Sequence, residues 1–252
     1  MAMSDPIGVI AIGHSGLTGE GTGGTFEAVK ENSWATGTSP EVNSVYMRLT
    51  TVRPETEGHV ANLAQGGAAA STLSAQAEAA LNIVPSPQLV IIATIDNDIR
   101  CDGSDPEHIA EFGLDVEEAL RLITNASNSR ILLVEQAGRP SPEFVEQLAA
   151  HDPDVKSALT GTGICDFYDP EGNLVEENFE TLTGIIEAYE AEQARVCARF
   201  PQCETDGGVR AAYIDTLENF ASDWAHFNIR GQAAQAELIW PTVTDLLGLP
   251  PP

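Results

Sequence analysis

Basic side chains are scarce in this sequence. It carries 12 Lys and Arg against 38 Asp and Glu, a formal net charge of −26. Such a field repels phosphate backbones and anionic lipid heads, so nucleic-acid binding and electrostatic membrane docking are not expected. No apolar run approaches the roughly 18 residues a membrane span needs, so no stable insertion is expected either. Also missing are internal repeats, low-complexity linkers and any block of five or six successive carboxylates that would mark an interaction tail. The acidity therefore reads as a solvated surface. The stretch before Ile7 is too short for a secretory leader, which spans about 15–30 residues.

No CxxC pair occurs among the four cysteines, Cys101, Cys165, Cys197 and Cys203. An even count without close pairs fits two disulfides better than a zinc site. Of three pairings, the short turn around Pro201 favours Cys197 with Cys203, which leaves Cys101 with Cys165. Four buried thiols are the alternative. Two disulfides imply an oxidising compartment, so the protein is expected to be secreted or otherwise extracytoplasmic, with a leader that is not part of this sequence.

What is present is a rhythm of apolar runs and helical periods. Strands are expected at Ile7–Ile12, His59–Leu63, Leu89–Ile95, Ile131–Glu135 and Val209–Ile214. The third and fourth are nearly unbroken aliphatic runs, as in strands covered on both faces of a parallel sheet. Val42, Val45, Tyr46 and Leu49 recur at helical spacing after Ser39-Pro40, which reads as a cap and a first-turn proline. Ala68–Leu81, Glu107–Ile123, Pro142–Ala150, Phe179–Phe200 and Gly231–Leu247 also read as helices, and Leu159–Gly172 as irregular. This alternation predicts a doubly wound α/β sheet. A length of 252 residues suits one such domain, with short tails at 1–6 and 250–252.

Ligands of such sheets sit beyond the carboxyl ends of the strands. The segments there are Gly13-His14-Ser15-Gly16, Asn62-Leu63-Ala64-Gln65-Gly66-Gly67 and Asp96-Asn97-Asp98. A late Asp223-Trp224-Ala225-His226 follows the last expected strand. Together they offer a hydroxyl, a glycine turn, a carboxamide and an imidazole with a carboxylate, the parts of acyl transfer. Singly each has a plainer role, such as a helix cap for Ser15 or a turn for Asn97. Two other patterns fail. The Gly-x-Ser-x-Gly elbow is not met, because the second glycine, Gly16, falls one place early. A calcium loop from Asp98 is not met, because Arg100 takes a ligand slot and Ile109 the terminal carboxylate.

The blocks IAIGHSGLTG, NLAQGG, TIDNDI and DWAHFNIRGQ, in that order over residues 7 to about 240, resemble the SGNH or GDSL-type hydrolase superfamily. That resemblance implies a three-layer α/β/α sandwich on a mostly parallel five-stranded, flavodoxin-like sheet. It implies Ser15 as nucleophile, His226 as base and Asp223 as its orienter. The oxyanion donors would be the Ser15 and Gly67 backbone N–H groups and the Asn97 side chain. It further implies a serine esterase acting on short acyl or acetyl esters of carbohydrate or lipid, without metal or organic cofactor. Two positions depart from the family pattern: His14 replaces the usual Asp before the serine, and Asp96 the usual Gly near the asparagine. The rival expectation is a carbohydrate- or lipid-binding module on the same fold, impaired by those two changes. Trp34 and Phe26, in the long Gly16–Ser39 loop, are candidates for a lid or for the core. Nothing in the pattern demands a dimer.

Overall fold

The computed structural model describes residues 5–250; residues 1–4 and 251–252, where most of the expected tails fall, lie outside it. Five strands, β1 (Val9–Gly13), β2 (Val60–Asn62), β3 (Leu89–Ala93), β4 (Arg130–Val134) and β5 (Cys203–Thr205), form one sheet in the order β2-β1-β3-β4-β5. Every pairing is parallel. The helices are α1 (Val45–Val52), α2 (Leu73–Ile83), α3 (Asp105–Ala126), α4 (Pro142–His151), α5 (Pro153–Ala158), α6 (Glu176–Cys197) and α7 (Ile229–Leu247).

Successive residues of a strand face opposite sides of the sheet, and the central strands are apolar at every position. Ile10 and Ile12 of β1, with Val90 and Ile92 of β3, pack beneath α2, α3 and α6. Val9 and Ala11, with Leu89 and Ile91, pack on the other face against α1 and α7. The sheet is thus sandwiched between two helical layers. Helix α3 shows why its sequence is helical: Phe112, Val116, Ala119, Leu120 and Ile123 fall on one buried stripe. Burying each large side chain of this kind contributes about 1.5–3 kcal/mol. A third, smaller cluster, Val145, Phe167, Tyr168 and Phe179, packs α4 and the start of α6 together beyond the ends of β3 and β4.

Two sequence expectations are corrected. Val209–Ile214 is not a strand. Gly207 and Gly208 take left-handed backbone, Ala212 and Tyr213 donate to Gly208 and Arg210 carbonyls in turns, and Ile214 is 80% exposed. The fifth strand is Cys203–Thr205, an edge strand in register with Ile131–Leu133 and tethered to the end of α6 by the Cys197–Cys203 disulfide. Helix α1 is capped by Ser44, whose Oγ accepts the Met47 N–H at 3.1 Å, and not by Ser39. Residues 39–43 instead form a turn, closed by the Val42 and Asn43 N–H groups on the Ser39 carbonyl. Both disulfides pair as expected, Cys101 with Cys165 and Cys197 with Cys203. Among the described residues, no helix is long and apolar enough to cross a membrane.

Candidate active site

The serine loop is shaped by Gly13. Its φ is +131°, and a Cβ there would stand 1.7 Å from the Ala93 carbonyl oxygen of β3, so only glycine fits. Buried Gln76 of α2 clamps the same residue from the side. Its Oε1 accepts the Gly13 N–H at 2.6 Å and its Nε2 donates to the Gly13 carbonyl at 3.1 Å. Ser15 then opens a single 3-10 turn, Ser15–Leu17. Thr18 Oγ1 donates to the Ser15 carbonyl at 2.8 Å, and Trp34 Nε1 to the Gly16 carbonyl at 2.9 Å. Trp34 is wholly buried, so it braces this turn from the core and is not a lid; Phe26 is 72% exposed.

His14 caps the turn. Its Nδ1 accepts the Gly16 N–H at 3.0 Å, so that nitrogen carries no proton. The carboxylate of Asp96 stands 3.5 Å from the same atom. The two residues that depart from the family pattern therefore lie beside each other across the ends of β1 and β3. Burial lowers the pKa of His14, and the charges of Arg210 and His226 add to the effect against the opposing pull of Asp96 and Asp98. His14 is consequently a neutral acceptor near neutral pH, as the capping geometry requires.

The β3 loop is locked by Asp98, a residue the sequence did not single out for this role. Its carboxylate accepts the Ala70 N–H at 3.1 and 3.2 Å and the Thr94 hydroxyl at 3.1 Å. Ile95 takes φ +97°, a strained conformation for a β-branched residue, and with it the chain turns sharply after β3. Asp96 and Asn97 then point to different partners. Asp96 Oδ1 accepts from Gln136, whereas Asn97 Nδ2 donates to the Ala68 carbonyl at 3.1 Å. That bond places Asn97 beside the Gly66-Gly67 turn and uses one of its two amide protons. Among the described residues, the backbone N–H groups of Ser15 and Gly67 and the second amide proton of Asn97 have no hydrogen-bond acceptor. Their loops follow β1, β2 and β3, three adjacent strands with the serine strand in the middle.

Asp223 and His226 lie in a tight turn just before α7, in which Trp224 takes left-handed backbone. Asp223 Oδ1 accepts the backbone N–H groups of Ala225 and His226, both at 3.0 Å, while Oδ2 lies 2.9 Å from His226 Nδ1. Burial alone would raise the Asp223 pKa. The ring and backbone N–H donors outweigh it and hold the carboxyl below its usual range. The Trp224 indole N–H donates to Asp152 at 3.0 Å, fastening the turn to the junction of α4 and α5.

Ser15 and His226 line one cavity of about 340 Å³ with His14, Gly16 and Asp96. Its far wall is apolar: Phe144, Val145, Leu148, Phe220, Trp224 and Phe227. Gly67 and Asn97 are not on its wall. No hydrogen bond joins Ser15 Oγ to His226 among the described residues; His226 Nε2 has Glu20 Oε1 at 3.9 Å. Arg210 also lines the cavity and is buried, with Nε donating to Gln235 at 2.8 Å and Nη1 to the Glu135 carbonyl at 2.8 Å. Burial, with the nearby Asp206 and Glu190 charges, raises Glu135 to about 7, and burial raises Asp215 to about 6 against the pull of Arg210. Gln76 and Arg210 escaped the sequence reading because each is a lone polar residue inside an otherwise ordinary segment, and Asp98, named there only in its block and a rejected calcium loop, was not read as a brace. Only the burial of each, and what it holds, reveals its role.

A five-stranded parallel sheet between helical layers, with these blocks at its carboxyl edge, is the architecture of the SGNH hydrolases. The chain belongs to the GDSL-like lipase/acylhydrolase family, whose family model matches residues 9–239. It is a hydrolase, and the family's chemistry is the cleavage of esters. No curated protein matches the sequence. Solved structures share the fold at low identity. TesA is 15% identical with a TM-score of 0.53, over 94% of this chain and 98% of that one. A putative platelet activating factor from Streptococcus pneumonia is 14% identical with a TM-score of 0.55, over 98% and 86%. A family two carbohydrate esterase from Clostridium thermocellum, solved with cellohexaose, is 13% identical with a TM-score of 0.55, over 98% and 67%.

Proposed function

We propose that the protein is a serine esterase that works through an acyl-enzyme, with Ser15 as nucleophile, His226 as base and Asp223 as orienter. Ser15 would pass its hydroxyl proton to His226 Nε2 as Oγ attacks the ester carbonyl carbon. Asp223 fixes the imidazole tautomer that leaves Nε2 free to accept, and it stabilises the imidazolium that results. The oxyanion would be met by the N–H groups of Ser15 and Gly67 and by the Asn97 amide. Collapse expels the alcohol, which takes the proton from His226. Water, deprotonated by the same imidazole, then releases the acid and restores Ser15. The observation that carries this reading is the set of three N–H donors left without acceptors on three adjacent loops, with the serine loop central. Ser15 and Asn97 are half-buried, where donors are seldom left unpaired without a reason; Gly67 is exposed, and its N–H is open to solvent or substrate. Losing one such donor typically costs about 2.7–4 kcal/mol of barrier stabilisation.

The cavity bears on the acyl group. Its phenylalanine- and leucine-lined wall suits an apolar chain longer than acetyl, since each buried methylene contributes about 0.8 kcal/mol. The test is a chain-length series of p-nitrophenyl esters with wild type and Ser15→Ala. Wild type should gain kcat/KM from acetate toward medium chains, and Ser15→Ala should lose turnover on all of them. Hydrolysis unchanged in Ser15→Ala would remove the assignment. The missing Ser15–His226 hydrogen bond favours one competing reading, an impaired site that binds glycan or lipid without cleaving it. That reading predicts ester binding with no turnover in wild type. Export to an oxidising compartment, supported by the two disulfides, completes the proposal.

A further inference from the structure

Glu20 occupies a position that the triad and its donors do not use. It follows the serine turn, on the long connection from β1 to α1. Its side chain is 14% exposed, yet among the described residues no donor lies within hydrogen-bond distance of either carboxylate oxygen. Oε1 lies 3.9 Å from His226 Nε2, and Oε2 lies 2.7 Å from where a Cβ on Gly66 would be. The carboxylate therefore sits between the nitrogen that would exchange the proton and the glycine turn after β2. Gly21 packs just behind it, its Cα so close to Ala221, His226 and Asp223 that a Cβ would stand 2.8–3.3 Å from them. This seat is built and not a stray surface rotamer.

Topology tells which half of an ester would meet it. The apolar cavity is walled from the loops after β3 and β4, from α4 and from the Asp223–His226 turn. Glu20 and Gly66 come from the connections after β1 and β2, on the other side of Ser15 in the strand order β2-β1-β3-β4-β5. An ester lying across Ser15 with its acyl chain in the apolar cavity turns its alcohol toward Glu20. The departing oxygen must come within about 3 Å of His226 Nε2 to be protonated. A group two or three bonds further along the alcohol is then in reach of the carboxylate. A carboxylate without a protein donor, on a side chain only 14% exposed, is stabilised by a positive charge placed beside it. Within 4 Å, His226 is the only basic side chain facing it among the described residues. The net charge of −26 would also draw cations toward the protein.

We propose that Glu20 is a specificity-determining residue that holds an ammonium group on the alcohol half of the ester. The proposal rests on Ser15 and His226 as the reacting pair. It is tested with butyrylthiocholine and its uncharged isostere, S-(3,3-dimethylbutyl) thiobutyrate, which share acyl group and shape. Wild type should favour the cationic ester in kcat/KM on the order of tenfold. In Glu20→Gln that ratio should fall to near one, through KM for the cationic ester. Tetramethylammonium should inhibit wild type competitively and at lower concentration than it inhibits Glu20→Gln. A ratio near one in wild type would contradict the proposal, and so would a ratio that survives the substitution. An equal fall on both esters would assign Glu20 to His226 alone and overturn it too. Should Glu20→Gln fail to fold, absence of tetramethylammonium inhibition in wild type is by itself contrary. Fluorophosphonate labelling of Ser15 in the same samples separates the two levels. A labelled enzyme without charge preference sinks only the Glu20 role, whereas an unlabelled, inactive one sinks the reacting pair and Glu20 with it.

Discussion

His14 and Asp96 show how one residue's oddity is explained by another's. A histidine cap that must accept the Gly16 N–H has to stay neutral, and its burial keeps it so. An aspartate at 14, the residue the family pattern favours, would accept the same N–H but would meet Asp96 across a gap of about the present 3.5 Å. Two carboxylates at that spacing repel, and one must take up a proton or turn away. His14→Asp alone should therefore destabilise the protein more than His14→Asp combined with Asp96→Gly. The coupling in a double-mutant cycle by urea unfolding should reach about 1 kcal/mol. Additive effects would mean that the two positions vary independently. In the sequence these residues are 82 apart and read as two separate blemishes. Their pairing was not legible, because nothing in a one-dimensional pattern says that the turns after β1 and β3 meet.

At the scale of elements, the site depends on how β1 ends. Gly13 passes over the Ala93 carbonyl of β3 and is gripped by Gln76 of α2, so strand, neighbour and helix fix the serine turn together. Gly13→Ala combines a clash with a backbone angle that L residues avoid, and should cost about 3 kcal/mol or more in urea unfolding, with loss of esterase activity. A change of under 1 kcal/mol would show that the strand end relaxes freely. Strands β1, β3 and β4 were legible to within two residues, because fully buried parallel strands leave unbroken aliphatic runs. The fifth was not. Cys203-Glu204-Thr205 is three residues long, two of them polar, and at the sheet edge, and is held by the disulfide and by pairing to β4 rather than by its own apolarity. Val209–Ile214 looked more like a strand, but Arg210, its second residue, is committed to Glu135, Gln235 and the face of Trp34. The helix period after residue 42 was real, and its start was misread because Ser39-Pro40 mimics the cap that Ser44 supplies.

For the whole molecule, a buried and a half-buried ionisable group at the sheet's carboxyl edge set opposite pH trends. His14 has a folded pKa below its ordinary 6.5, so the unfolded chain binds more protons there and stability falls as pH drops through 6.5. Glu135 runs the other way. Its folded pKa of about 7 lies above the ordinary 4.5, so the folded chain holds the extra proton and stability falls as pH rises across that window. Glu135→Gln removes this loss. Its melting temperature should exceed that of wild type at pH 8 and match it more closely at pH 5, with a gain on the order of 1 kcal/mol once solvent screening is counted. A difference independent of pH would show that Glu135 is ionised in the fold throughout.

Reaction with a fluorophosphonate, read as intact mass and then by peptide mapping, goes directly to Ser15. With Ser15 as the proposed nucleophile and His226 as its proposed base, a single covalent adduct should form on Ser15, lost in Ser15→Ala and greatly slowed in His226→Ala. No adduct on a folded, disulfide-bonded wild-type protein, or an adduct on some other residue, would contradict the account.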